Sequence, residues 1–168
     1  MTEFIGIDPG TYRTGWAVIT TKNGKLEIVE GGVVVVHRNM SLLDRLKTIE
    51  TRLETILTYW PQSYVGIEEP FVGKNPKSAI SIAKVHAVCL LTASRITKTT
   101  SRIYTYTPGQ VKKAVGKGNA TKAEVQRLVA AIYGFHVTLP EDESDAVAVA
   151  TCLEQDIRFN ARLEGGDV

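Results

Sequence analysis

Phe4-Ile5-Gly6-Ile7-Asp8-Pro9-Gly10-Thr11 is an apolar run that ends on one acid and meets a Pro-Gly turn at once. The run reads as a strand over residues 3 to 8. An unpaired charge at the end of a buried strand costs several kcal/mol, so an acid there calls for a cation. Asp8 alone reads equally well as a turn acid capping the first hairpin. The rest of the chain has to decide.

Working outward, Thr14 to Thr20 reads as a second strand and Leu26 to Val36 as a third. The turn between them is Lys22-Asn23-Gly24-Lys25, where Asn-Gly supplies two positions with positive φ. Such short links make three consecutive antiparallel strands. Ser41 with Asp44 three residues on can cap a helix, and Leu42, Leu43, Leu46, Ile49, Leu53, Ile56 and Leu57 recur at helical spacing to about Trp60. Pro61 stops it. Tyr64 to Glu68 is a fourth strand, placed parallel to the first by a right-handed crossover.

Residues 71 to 77 form a Gly/Asn/Pro loop, and a long helix runs from Ser78 to about Ile96. Its small-residue row, Ala79, Ala83 and Ala87, suits close helix approach, in the core or at a dimer seam. Arg102 to Thr107 is a fifth strand. Thr107 then caps a helix with Pro108 at its first position, ending near Gly116. Gly116 to Asn119 is a flexible basic loop. Thr121-Lys122-Ala123-Glu124 is a capping box opening a helix to Tyr133. A last helix starts near Asp142 or Ser144, and the tail fades from Arg158. The order β-β-β-α-β-α-β-α-α-α predicts an α/β fold: a mixed five-stranded sheet, three antiparallel strands and then two parallel, with helices on both faces. One domain over residues 1–158 with a flexible tail at 159–168 is expected.

The chain has 168 residues, enough for one sizeable core. No apolar run reads as a membrane span and no signal pattern opens the chain, so no membrane and a cytoplasmic location are expected. Cys89 and Cys152 lie in apolar helical stretches and read as buried free thiols. The net charge of +2 hides an asymmetry. Residues 71–134 carry eleven Lys/Arg against one acid, Glu124, while residues 1–70 carry seven against nine and residues 135–168 two against eight. A basic block of that length, free of interspersed acids, points to a polyanion.

Glu68 closes the fourth strand, so Asp8 and Glu68 project from adjacent strand ends, where α/β sheets bind ligands. Asp142 and Asp145 are three apart and share one helix face. Each of these two is also an ordinary first-turn acid complementing a helix dipole. Together, four carboxylates from three segments form a hard-oxygen set suited to Mg²⁺ or Mn²⁺. Two such ions make the clamp used for phosphodiester hydrolysis. Glu69, Glu141 and Glu143 read as surface charges.

Ile5-Gly6-Ile7-Asp8-Pro9-Gly10, Ile67-Glu68-Glu69-Pro70-Phe71, Lys74-Asn75-Pro76-Lys77-Ser78-Ala79, Gln110-Val111-Lys112-Lys113 and Asp142 to Ala148 follow one another in an order that resembles the RuvC family of Holliday-junction resolvases, within the RNase H-like superfamily. The resemblance covers nearly everything to about residue 155. It implies a homodimeric, Mg²⁺-dependent endonuclease, with two ions per site, that nicks two strands of a four-way DNA junction symmetrically. It implies Asp8, Glu68, Asp142 and Asp145 as metal ligands, Phe71 beside bases near the junction centre, and Lys112 and Lys122 at the scissile backbone, with Lys122 counted among the catalytic residues. Lys74, Lys77, Lys113 and Lys117 flank glycine-bearing loops and helix starts, where backbone N–H groups also favour phosphate. Phe71 reads alternatively as a cover for the sheet edge. His86 stands where the resemblance leads one to expect Arg, and Glu124 where Gln is common. These departures leave open the cleavage preference and partnership with a branch-migration complex.

Rival readings are an ATP-binding protein of the actin and sugar-kinase class, a broader nuclease of flaps, forks or branched phage DNA, and a non-catalytic junction-binding module. The first needs two similar domains and a second Gly-rich phosphate loop, which this chain lacks.

Overall fold

The computed structural model describes residues 2–71 and 76–165. Lys74, a predicted DNA contact, lies outside the described residues. Five strands form one sheet: β1 (Glu3–Asp8), β2 (Arg13–Lys22), β3 (Lys25–Val35), β4 (Tyr64–Glu68) and β5 (Ile103–Tyr106). Their spatial order is β3-β2-β1-β4-β5, with β1–β2 and β2–β3 antiparallel and β1–β4 and β4–β5 parallel. This is the predicted sheet. The β2–β3 turn has positive φ at Asn23 (52°) and Gly24 (76°), as the Asn-Gly pair requires.

Period-2 alternation divides the sheet into two apolar layers. Ile5, Ile7, Val18, Val65 and Ile67 face α1 (Leu42–Thr58) and α2 (Pro76–Thr97). Phe4, Ala17 and Ile19 face α3 (Pro108–Val115), α4 (Lys122–Tyr133) and α5 (Glu141–Leu163). Helices therefore cover both faces. Ser41 caps α1 by accepting from the Asp44 N–H at 3.1 Å. Thr107 with Gln110, and Thr121 with Glu124, close reciprocal capping boxes on α3 and α4.

Ends of β2, β3 and β5 shift by a residue or two, and three helix boundaries differ from the sequence expectation. α2 begins at Pro76, because proline fits the first helical turn, where its missing N–H has no acceptor to serve. α5 begins at Glu141 and continues to Leu163, past Arg158, where a fading tail was expected. In that stretch the Asn160 side chain donates to Asp156 at 3.4 Å. α2 is also long and apolar enough, by length and composition, to cross a membrane, contrary to the expectation that no run reaches that size. Its alanines and few charges cause this. It lays Val85, Cys89 and Ala93 into the core beside the sheet and leaves an opposite face uncovered.

Candidate active site

Asp8 and Glu68 are brought together by register. Ile7 pairs with Ile67 across the parallel β1–β4 ladder, so the two acids that follow end neighbouring strands. Both lie on the face of Gly6 and Gly66, which α5 covers. That helix comes unusually close. A Cβ at Gly6 would stand 2.1 Å from the Ala146 carbonyl oxygen, and one at Gly15 would stand 2.0 Å from that of Asp142. Only glycine permits the contact, and the contact seats the first turns of α5 over the strand ends.

The result is a cavity of about 260 Å³ lined by Asp8, Glu68, Asp145, Lys112, Lys122, Phe71, Pro108, Val111 and Val125. Three of the four predicted ligands thus share one cavity with both predicted backbone-contacting lysines. Burial, followed by the charge of Asp145, pushes the Asp8 carboxyl up from 3.8 to about 7. Burial, followed by the charge of Asp8, pushes Glu68 up from 4.5 to about 8. Asp145 is raised too, by burial, against the opposing charge of Lys122. Burial disfavours the Lys122 ammonium, but its hydrogen bond to Glu141 and the nearby Asp145 leave its pKa above the usual lysine value. The cavity gathers three carboxyl groups against two lysines, and without a cation Asp8 and Glu68 hold their protons well above the usual carboxylate range.

Asp142 does not line this cavity, although its charge reaches both Asp8 and Asp145. Arg13 Nε donates to its Oδ2 at 2.6 Å, with the arginine exposed and the carboxylate partly buried. Lys122 Nζ bonds Glu141 and lies 3.7 Å from Asp145. Among the described residues no three His, Cys, Asp or Glu side chains are already gathered at ion-holding distance. The donor set still fits a hard divalent cation: carboxylate oxygens from β1, β4 and α5, with raised pKa values that a cation would relieve.

The other predicted contacts spread out. Phe71 is 73% exposed at the cavity mouth, which removes the reading of it as a core cover. It also borders, with Lys112, a neighbouring cleft of about 440 Å³ formed by Glu69, Pro70, Thr107 and Gly109. Lys113 opens onto a different groove beside Tyr106 and Phe159, and Lys117 onto another beside Leu128. Lys77 sits exposed in the first turn of α2. Glu69 accepts from Thr105 Oγ1 at 2.9 Å. His86 is half-buried with an unpartnered Nε2, and burial lowers its pKa against the opposing charge of Glu69. Cys89 and Cys152 are buried and unpaired, as expected.

Two participants escaped the sequence reading. Glu141, taken there for a surface charge, partners Lys122. Arg13 went unremarked, although alternation along β2 puts it on the face of Gly15 and Ala17, the face that α5 covers.

Comparison with known proteins agrees with this geometry. Residues 4–153 match the model of the family described as crossover junction endodeoxyribonuclease RuvC. The protein of that name from Halothermothrix orenii is 34% identical over 160 residues, covering 94% of this chain and 95% of its own. That from Clostridioides difficile is 37% identical over 150 residues, covering 88% and 87%. The solved structure of Thermus thermophilus RuvC in complex with a Holliday junction substrate superposes with a TM-score of 0.83 at 27% identity, over 95% of this chain and 97% of that one. A family match across most of the chain, near-full-length relatives and the same five-stranded architecture agree: the chain belongs to the RuvC family of crossover junction endodeoxyribonucleases, with an RNase H-like fold.

Proposed function

We propose that this protein resolves four-way DNA junctions by metal-dependent hydrolysis of phosphodiester bonds, making paired symmetric nicks. The observation that carries the reading is the single cavity shared by Asp8, Glu68, Asp145, Lys112 and Lys122. Asp8, Glu68 and Asp145 would hold Mg²⁺, or Mn²⁺, with Asp142 joining them on release from Arg13. When bound, such ions supply an activated water and neutralise charge on the scissile phosphate. The chain's own side chains do the rest. Lys122 stays cationic at neutral pH, so it can hold a phosphate oxygen at the cavity rim. Lys112, on the same wall, adds a second positive contact. Phe71, exposed beside them, is placed to stack on an unpaired base.

Paired nicks need two sites, and the uncovered face of α2 supports a homodimer. Ile80 is 59% exposed and Leu91 65%, with exposed Ala83 and Ala87 between them at helical spacing. Two copies packed along α2 would cover this stripe and relate the cavities by a two-fold axis. Leu91→Glu should yield a folded monomer in sedimentation.

The direct test is cleavage of a synthetic immobile junction with and without Mg²⁺. Wild type should cut it only with the ion, and Asp8→Asn should bind without cutting. Faster cleavage of Y-forks than of junctions would favour the broader branched-DNA nuclease. A cutting Asp8→Asn variant would remove this cavity from the chemistry.

A further inference from the structure

The β1–β2 turn carries a second positive cluster, formed by residues outside the basic middle block. Tyr12 is exposed, and two guanidiniums stack on its ring, that of Arg45 at 4.6 Å from the centroid and that of Arg38 at 5.2 Å. The scaffold around them is ordered. The Val36 N–H donates to the Tyr12 carbonyl at 3.0 Å, and the Met40 N–H closes the turn bearing Arg38 by donating to the His37 carbonyl. Arg45 donates to the Thr11 carbonyl at 3.4 Å, while its Nε is buried with no partner.

Among the described residues, neither Arg38 nor Arg45 has a carboxylate within ion-pair distance. The neighbouring Arg13, by contrast, has Asp142. An aromatic face attracts each cation, but it does not cancel the charge. Two like charges fixed on one ring without a counter-ion favour an anion between or above them, and the planar fork of guanidinium matches phosphate.

The placement selects which phosphate. Tyr12 lies four residues beyond Asp8, at the same end of the sheet as the cavity. The strand order β3-β2-β1-β4-β5 puts this turn on the β2–β3 side, while Lys112 on α3 follows β5 on the other. We propose that Arg38 and Arg45, stacked on Tyr12, form a platform for a DNA backbone phosphate on the β2–β3 flank of the cavity. The strand crossing the carboxylates is then gripped on both sides, by these arginines and by Lys112 and Lys122. This rests on the nuclease reading above.

The experiment measures binding of a labelled immobile junction across a salt series, in an Asp8→Asn parent that leaves the DNA uncut. Each phosphate contact contributes about 0.9 to the slope of log affinity against log salt. Arg38→Gln should therefore flatten the slope by about 0.9 and weaken binding about eightfold near 0.1 M salt. Arg38 is exposed, with the Tyr12 ring as its one described contact, so this variant keeps its fold; unchanged melting verifies that. Arg45→Gln should act in the same direction, and Arg38→Lys should restore the slope. If Arg38→Gln keeps the parent's slope and affinity while Lys112→Gln loses both, the platform is overturned and the nuclease reading stands. A parent with a flat salt response overturns both.

Discussion

Raising the pH of the protein in chelator should make it easier to unfold. Asp8 and Glu68 keep their protons in the native state up to about pH 7 and 8, whereas the unfolded chain loses them near 3.8 and 4.5. A carboxyl with a raised folded pKa contributes stability that is fully present below the unfolded value and is lost as pH rises through the folded one. The window is therefore pH 4 to 8, and stability falls as pH rises across it. For Asp8 a rise of roughly three units corresponds to about 4 kcal/mol at 1.36 kcal/mol per unit. Glu68 owes part of its rise to the charge of Asp8, so the two are not summed. In a domain of this size each kcal/mol moves the melting temperature by about 2–4 °C, so Asp8 alone predicts a fall on the order of 10 °C. Calorimetry between pH 4 and 8.5 in chelator measures it. Asp8→Asn, neutral throughout, should melt higher than wild type at pH 8 and show a shallower pH profile. Adding Mg²⁺ at pH 8 should raise the wild-type melting temperature and leave the variant less affected. A wild-type profile that is flat, or one superimposable on that of Asp8→Asn, would refute the account of crowded, desolvated carboxylates.

Gly6→Ala would thrust a methyl group against backbone atoms of Ala146 and Ala150, so α5 must shift. A loss of about 1–3 kcal/mol in denaturant unfolding is expected, with cleavage falling further as Asp145 moves. Phe71→Ala should leave stability unchanged, since the ring is mostly exposed, and weaken productive junction engagement by about 1–3 kcal/mol in single-turnover cleavage. Arg13→Ala removes an ion pair between partly exposed groups and should change stability by less than about 1 kcal/mol. By freeing Asp142 it should tighten Mg²⁺ binding in titration calorimetry; unchanged or weaker binding would show that Arg13 does not compete with the ion.

The sheet was legible because its signals are local. Short apolar runs marked β1, β2 and β4, Asn23-Gly24 gave the hairpin, and the intervening helix gave the parallel β1–β4 pairing. The strand-end acids followed from the same logic. The partners of the α5 acids did not. Arg13 and Asp142 are 129 residues apart, and which cation each acid meets depends on how closely Gly15 lets the helix approach. The charge count also overstated a single basic face. Arg95 turns to Glu50 on α1, Arg102 to Gln62, and Arg127 back to its own helix, while Arg38 and Arg45 lie in the stretch where acids outnumber bases. Linear blocks of charge do not map onto surfaces when helices rotate successive residues by about 100°.

The two readings of Asp142 and Asp145, as acids of a helix N-terminus and as ligands, are compatible. α5 has Pro140 at its N-cap and no side-chain capping hydrogen bond, unlike α1, α3 and α4. Its free N–H groups are complemented instead by Glu141, Asp142 and Glu143 in the first turn, each such acid stabilising by about 0.3–1 kcal/mol. An acid held only by a dipole keeps its oxygens available, whereas a cap residue would commit them to backbone donors. Arg13 and Lys122 then hold Asp142 and Asp145 through partly exposed contacts that cost little to exchange. The start of α5 thus holds Asp142 and Asp145 without a cap that would commit their oxygens, and leaves both free to turn toward a cation.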